Sequence, residues 1–135
     1  MTTDSRRAPG IGAAHVNAAA CELSLEALTE GVIAGQPTAA AEAIHSTWGV
    51  EIGIWEMTPG AASDVEEDEI FVVLSGLGSI QHDDGSVTPL HPGSLVRLYA
   101  GQRNTWHVVH TVRKVYLTPT TRPAVSPGQT TKESA

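Results

Sequence analysis

From Thr47 onward the chain alternates between short apolar runs and breaks rich in glycine and proline. Val50-Glu51-Ile52-Gly53-Ile54-Trp55-Glu56-Met57 alternates with the two-residue period of a strand and stops at Thr58-Pro59-Gly60, a turn signal. Ile70 to Leu74 is a continuous apolar run bounded by acids and by Ser75-Gly76; its brevity and β-branched content predict a buried strand. Gly78–His82 and Val87–Leu90 flank Asp83-Asp84-Gly85-Ser86, which predicts a hairpin, since glycine tolerates positive φ. His91-Pro92-Gly93 is a further turn, followed by strands over Leu95–Tyr99, Trp106–His110 and Arg113–Thr118. Strands every eight to twelve residues between such turns predict an all-β sandwich or jelly-roll barrel.

Before Thr47 the pattern differs. Residues 1–20 are small and aperiodic, with Pro9, Gly10 and Gly12, and read as a flexible arm. Between Cys21 and Ile33, Ser24 can cap a turn carrying Leu25, Leu28 and Val32 on one side and Glu26 and Glu30 on the other, which predicts a short helix. Gly35-Gln36-Pro37-Thr38 ends it, and Ala39–Ser46 reads as a second short helix or a strand-like arm. The expected organisation is an arm over 1–20, an irregular or weakly helical segment over 21–46, a barrel over 47–118, and a disordered Thr-, Pro- and Ser-rich tail over 119–135.

Composition narrows the function classes. A chain of 135 residues with 41% hydrophobic content fits one domain with its own core. A formal net charge of −7 without a basic stripe argues against nucleic acid and anionic membranes as partners, both being polyanions. No apolar run approaches the ~20 residues needed to span a bilayer, and no secretion signal opens the chain, so a cytoplasmic location is expected. The lone Cys21 has no internal disulfide partner and reads as a small half-buried residue.

Four segments, in order and spacing, resemble the cupin superfamily, and within it the small single-domain subfamily related to (S)-ureidoglycine aminohydrolase. They are Gly53–Gly60, Asp68–Gly76, Pro92–Gly101, and Asn104-Thr105-Trp106 with Val112–Tyr116. The resemblance implies a single cupin-type jelly-roll barrel (a double-stranded β-helix) with an internal cavity, a small-molecule ligand and a homodimer. In metal-binding cupins two histidines precede a glutamate and a third follows the second glycine-rich turn. By spacing those places hold Ser63, Val65 and Asn104 here, and of the usual set only Glu69 remains. Valine cannot ligate and serine is a poor ligand, so neither a metal nor another cofactor is assigned. The second motif also carries Ser94 and Tyr99 where the family has aspartate and proline.

Strand alternation puts Glu69, Phe71 and Val73 on one face, and Asn104, Trp106, Val108 and His110 on another. A carboxylate against Phe71 and Trp106 would be desolvated and raised in pKa, fit for general acid or base work. Glu69 and Asn104 are therefore the candidate catalytic pair, with Trp106, Phe71, Glu56, Tyr99 and His110 as candidate pocket residues. The acidic run Asp64, Glu66, Glu67, Asp68 and Glu69 reads as a solvated face. His82 and His91 read as exposed beside the hairpin, and Ser75 and Ser94 lack a nucleophile elbow. The leading expectation is a metal-independent acid–base enzyme acting on a small polar metabolite, as an isomerase, lyase, cyclase or hydrolase. The alternatives are a non-catalytic binding or accessory barrel, and an aminohydrolase-like enzyme with a divalent metal at a displaced site using Glu69 and His110.

Overall fold

The computed structural model of the protein describes residues 12–120. Among them there are nine strands and no helix: β1 (Glu26–Ala27), β2 (Val32–Ala34), β3 (Thr38–Thr47), β4 (Val50–Met57), β5 (Gly60–Val65), β6 (Glu69–His82), β7 (Val87–Leu90), β8 (Leu95–Leu98) and β9 (Arg103–Pro119). No helix long and apolar enough to cross a membrane occurs among the described residues.

Two long bent strands organise the barrel. β9 pairs antiparallel with β6 along nearly its whole length. On its other edge β9 pairs first with β5, from Arg103 to Val108, and then with β4, from Val112 to Pro119. β6 likewise pairs with β8 through Glu69–Val72 and with β7 through Gly78–Gln81. One sheet therefore runs β1-β3-β4-β9-β6-β8 and the other β2-β5-β9-β6-β7, sharing the two long strands. This is the all-β jelly roll expected from the strand spacing. Met57, Phe71, Val73, Ile80, Leu90, Leu98, Val108 and Val112 fill the space between the sheets.

The strand spacing had suggested breaks where the chain bends instead. Ser75-Gly76 is expected to bound one strand and residues 111–112 to separate two, yet both stretches lie within continuous strands. The β6–β9 register shifts between Val108 and His110, between His110 and Arg113, and between Arg113 and Lys114. Bulges of this kind bend the strand and let it pass from one sheet to the other. Gly76 lies at the same corner, with φ of +106°, and a Cβ built there would meet Thr111 O at 2.2 Å and Val112 Cα at 2.5 Å.

The short helix expected between Cys21 and Ile33 does not form. β1 pairs with β3, β2 pairs with β5, and the β3 segment takes the strand option. Gly31 and Gly35 have positive φ and interrupt this stretch, and cross-strand pairing prevails over one weak cap. The sheet thus begins at Glu26, ahead of the expected barrel boundary at 47. The segment before it crosses the outside of the barrel, where Arg113 Nη1 donates to Ala18 O at 3.0 Å and touches the half-buried Cys21 at 3.5 Å. Residues 1–11 of the expected arm and 121–135 of the expected tail lie outside the described residues.

The Gly76 corner can be checked by substitution. Gly76→Ala is expected to cost roughly 2–6 kcal/mol, combining backbone strain with overpacking. Gly85→Ala, at φ +89° but with nothing within 4 Å, is expected to cost only ~1–2 kcal/mol. Urea unfolding of the two variants measures the difference; equal costs would remove the corner from its structural role.

Candidate functional site

A cavity of about 310 Å³ opens into the barrel beside Trp55, Trp106 and Tyr116. Its chemistry centres on Lys114, of which 4% is exposed. The β9 alternation that points Val112 and Tyr116 inward carries Lys114 with them, between Trp55 of β4 and Val73 of β6. The ammonium lies 4.4 Å from the ring centroid of Trp55, 4.2 Å from Phe71 and 4.5 Å from Trp106. Trp106 lies 5.0 Å from Trp55 and 5.6 Å from Phe71, centroid to centroid, so the rings form one cluster around the charge. Three aromatic faces stabilise a desolvated cation through their quadrupoles.

Glu69 completes the neutralisation, with Oε2 2.7 Å from Lys114 Nζ. That oxygen receives no hydrogen bond of good angle, so the contact acts through charge at short range. Burial pushes the Lys114 amine below its ordinary value, while Glu69 and then Glu66 oppose the shift.

The second carboxyl is Glu66, 9% exposed and also lining the cavity. Trp106 Nε1 donates to its Oε2 at 2.8 Å, and Asn104 Nδ2 donates to the same oxygen at 3.4 Å. Asn104 Oδ1 accepts from His82 Nδ1 at 2.8 Å, which leaves His82 Nε2 to accept from the Thr88 hydroxyl at 2.7 Å. Burial raises the Glu66 carboxyl above its ordinary value, against the lowering effects of Trp106, Lys114 and Asn104. Its backbone is pinned as well: Glu66 N donates to Gln102 O at 2.7 Å and Gly101 N to Glu66 O at 2.9 Å.

Of the residues singled out from sequence, Glu69, Phe71 and Trp106 come together around Lys114. Asn104 is 1% exposed and serves Glu66 rather than Glu69. Glu56 lies outside the cavity lining; it pairs with Arg113 at 2.7 Å under the N-terminal segment, because odd positions of this part of β9 face outward. Tyr99 is 55% exposed and sits against Arg97, beyond the end of β8. His110 is exposed: the extra residue between Val108 and His110 breaks the alternation that would have pointed it inward. Glu66 was hidden in an acidic run read as solvated, and His82 beside a hairpin read as exposed. Lys114 had a signal, its even spacing from Val112 and Tyr116, but lysine is rarely an inward residue.

The donor set does not fit the metal that many cupins carry. Val65 offers no ligand atom, Asn104 is committed to Glu66 and His82, and the space on Glu69 Oε2 is held by an ammonium. Among the described residues, no three His, Cys, Asp or Glu side chains converge as a metal site would need.

Residues 46–116 match the family described as the EutQ-like cupin domain. None of the curated proteins matches the chain in sequence. Among solved structures, the chain is similar to the EutQ protein of Clostridium difficile, with 20% identity, TM-score 0.56, and coverage of 62% of this chain and 70% of that one. It is also similar to the polyketide cyclase RemF from Streptomyces resistomycificus, with 18% identity, TM-score 0.57, and coverage of 84% and 83%. Ectoine synthase from P. lautus shares the fold at 14% identity and TM-score 0.53, with coverage of 69% and 68%.

Two measurements check these electrostatics. Glu69→Gln leaves a buried ammonium unpaired and is expected to cost ~3–5 kcal/mol in urea unfolding; adding Lys114→Met is expected to restore most of it. A double variant no more stable than Glu69→Gln would remove the ion pair as the cause. For Glu66, a raised folded-state pKa means that the folded chain binds more protons than the unfolded chain at pH above 4.5. Its contribution to stability is present at low pH and lost as pH rises through the folded value. The stability of Glu66→Gln relative to the unsubstituted protein should therefore rise with pH from 4.5 upward and then level. A flat or falling difference in thermal melts across that range would contradict the buried acid.

Proposed function

The chain belongs to the EutQ-like cupin family, and on that footing we propose that its barrel cavity binds a small polar metabolite and moves protons on it with carboxyl groups rather than a bound metal. One observation carries the reading: two carboxyls of unlike environment line one cavity. Glu66 is buried, and that burial raises its carboxyl above the ordinary value against the indole and amide donors that hold it. Glu69 faces the Lys114 ammonium as a carboxylate. Carboxyls set apart by their surroundings can divide the roles of acid and base.

In this reading Glu66 donates a proton to the developing negative charge on the substrate, and Glu69 accepts one from the opposite reacting atom. Asn104 is a positioning residue: it fixes the Glu66 carboxyl, and His82 in turn fixes the Asn104 amide. Trp55 and Trp106 form an apolar wall that excludes water and suits planar parts of a ligand. The polyketide cyclase and the ectoine synthase support the reading, as enzymes of small molecules built on the same fold. The finer likeness to ureidoglycine aminohydrolase enters only as the location of the cavity, since Ser63, Val65 and Asn104 do not supply that enzyme's metal set.

Full-length protein incubated with a metabolite extract and followed by mass spectrometry tests the proposal. The expected result is one compound consumed and one formed, with the rate lowered roughly 10²–10⁴-fold by Glu66→Gln or Glu69→Gln. Unchanged turnover in both variants would end the proton-transfer roles. A compound that binds and returns unaltered would leave a binding barrel without catalysis.

A further inference from the structure

The chain has two lysines, Lys114 and Lys132, against six arginines. Among the described residues every basic side chain that pairs on the outside of the barrel is arginine: Arg97 with Asp68, and Arg113 with Glu56. The described lysine is the one inside. Arginine would supply a permanent charge and a fork for the carboxylate. Lysine supplies what arginine cannot, an amine able to lose its proton and attack carbon.

We propose that Lys114 is an amine nucleophile that captures small uncharged or cationic aldehydes and ketones as an iminium inside the barrel. The inference rests on the reading of the cavity as a site of acid–base chemistry. It adds the substrate class and a covalent step.

The step balances without a cofactor or an oxidant. Lys114 Nζ gives one hydrogen to Glu69, 2.7 Å away, and its freed electron pair forms a C–N bond to the carbonyl carbon. The carbonyl oxygen takes a proton from Glu66, giving a carbinolamine. The nitrogen's second hydrogen returns through a carboxylate to that hydroxyl, the C–O bond breaks, and water leaves. The third hydrogen stays on the iminium nitrogen. Two hydrogens and one oxygen have departed as water, the proton left on Glu69 replaces the one Glu66 gave, and the positive charge on nitrogen is the same at the end as at the start.

That conserved charge is why the surroundings suit the reaction. The cluster of Trp55, Phe71 and Trp106, with Glu69 beside it, stabilises an ammonium, and it stabilises an iminium for the same reason. Burial makes deprotonation of the amine easier than in water. The 310 Å³ cavity is lined by Lys114, Glu66 and Glu69 together, so nucleophile, acid and base border one free volume. The cavity rim also bears Asp64 and Glu67, both exposed carboxylates, so anionic carbonyl compounds such as 2-oxo acids are repelled.

Propionaldehyde with cyanoborohydride is a direct probe, because the hydride traps the iminium as a stable propyl-lysine. The full-length protein is treated, digested and mapped by mass spectrometry, with Lys132 as the internal reference. Lys114 is expected to be propylated at least ~10-fold faster than Lys132, by proximity of acid, base and nucleophile. Unfolding the same protein in urea should equalise the two, and pyruvate should label Lys114 less than propionaldehyde does. Glu66→Gln should slow labelling of Lys114 by roughly 10²-fold and leave Lys132 unchanged. Labelling of Lys114 no faster than Lys132 in the folded protein, or equal labelling by pyruvate, would overturn the inference. Either result would leave the proton-transfer reading standing if the extract experiment shows turnover that Glu66→Gln loses.

Discussion

A barrel that closes over an ammonium has to neutralise it, and the rest of this structure follows from how that is done. Moving such a charge out of water costs several kcal/mol even after relaxation. Lys114 meets that cost with one carboxylate and three aromatic faces drawn from different strands: Trp55 from β4, Glu69 and Phe71 from β6, and Trp106 from β9 itself. Trp106 lies in the part of β9 that pairs with β5, whereas Lys114 lies in the part that pairs with β4. The charge is thus held across the corner where the strand changes sheets. A slip of one residue would turn Lys114 outward and Arg113 inward, so neutralisation and register enforce each other.

The same corner decides which polar groups reach the interior. The bulges between Val108 and Lys114 turn His110 outward, while the matching change of alternation along β6 turns His82 inward toward Asn104. Glu66 is reached from the other side, through a loop whose backbone is tied to Gly101 and Gln102. A chain of hydrogen bonds therefore runs from Thr88 through His82 and Asn104 to Glu66 and on to Trp106, which also packs against the ammonium. The two carboxyls and the amine form one electrostatic unit, in which Lys114 lowers the Glu66 carboxyl and Glu69 raises it.

The fold was legible in the sequence because turn chemistry and two-residue alternation act locally. Thr58-Pro59-Gly60 and Asp83-Asp84-Gly85-Ser86 mark their turns whatever lies around them. The site was only partly legible because its alternation is interrupted by bulges, which depend on the partner strand. Projection from Asn104 and Trp106 fails at His110 for that reason, and resumes with Val112, Lys114 and Tyr116 after the bulges. Glu66 and His82 are polar residues in polar stretches, and only the tertiary packing of the 66–68 loop and of β6 against β9 buries them. Glu56 shows the converse: its neighbour Trp55 faces the cavity, so Glu56 must face Arg113 and the N-terminal segment.

The absence of histidines at positions 63, 65 and 104 had suggested an emptied ligand cage, but the position beside Glu69 holds a cation supplied by the chain itself. A metal ion and a lysine would both balance the carboxylate, yet they lead to different chemistry. A metal polarises a bound oxygen through an open coordination position. An ammonium has no such position; it offers hydrogens and, once one is given up, an electron pair. The aromatic rings around Lys114 suit this second case, because they stabilise a soft positive charge without competing for its hydrogens. Glu66 and Glu69 line the same cavity as Lys114, so the proposed donor and acceptor border the amine in one site. Electrostatics thus links the non-ligating residues at the usual ligand positions to the ammonium of Lys114 beside Glu69.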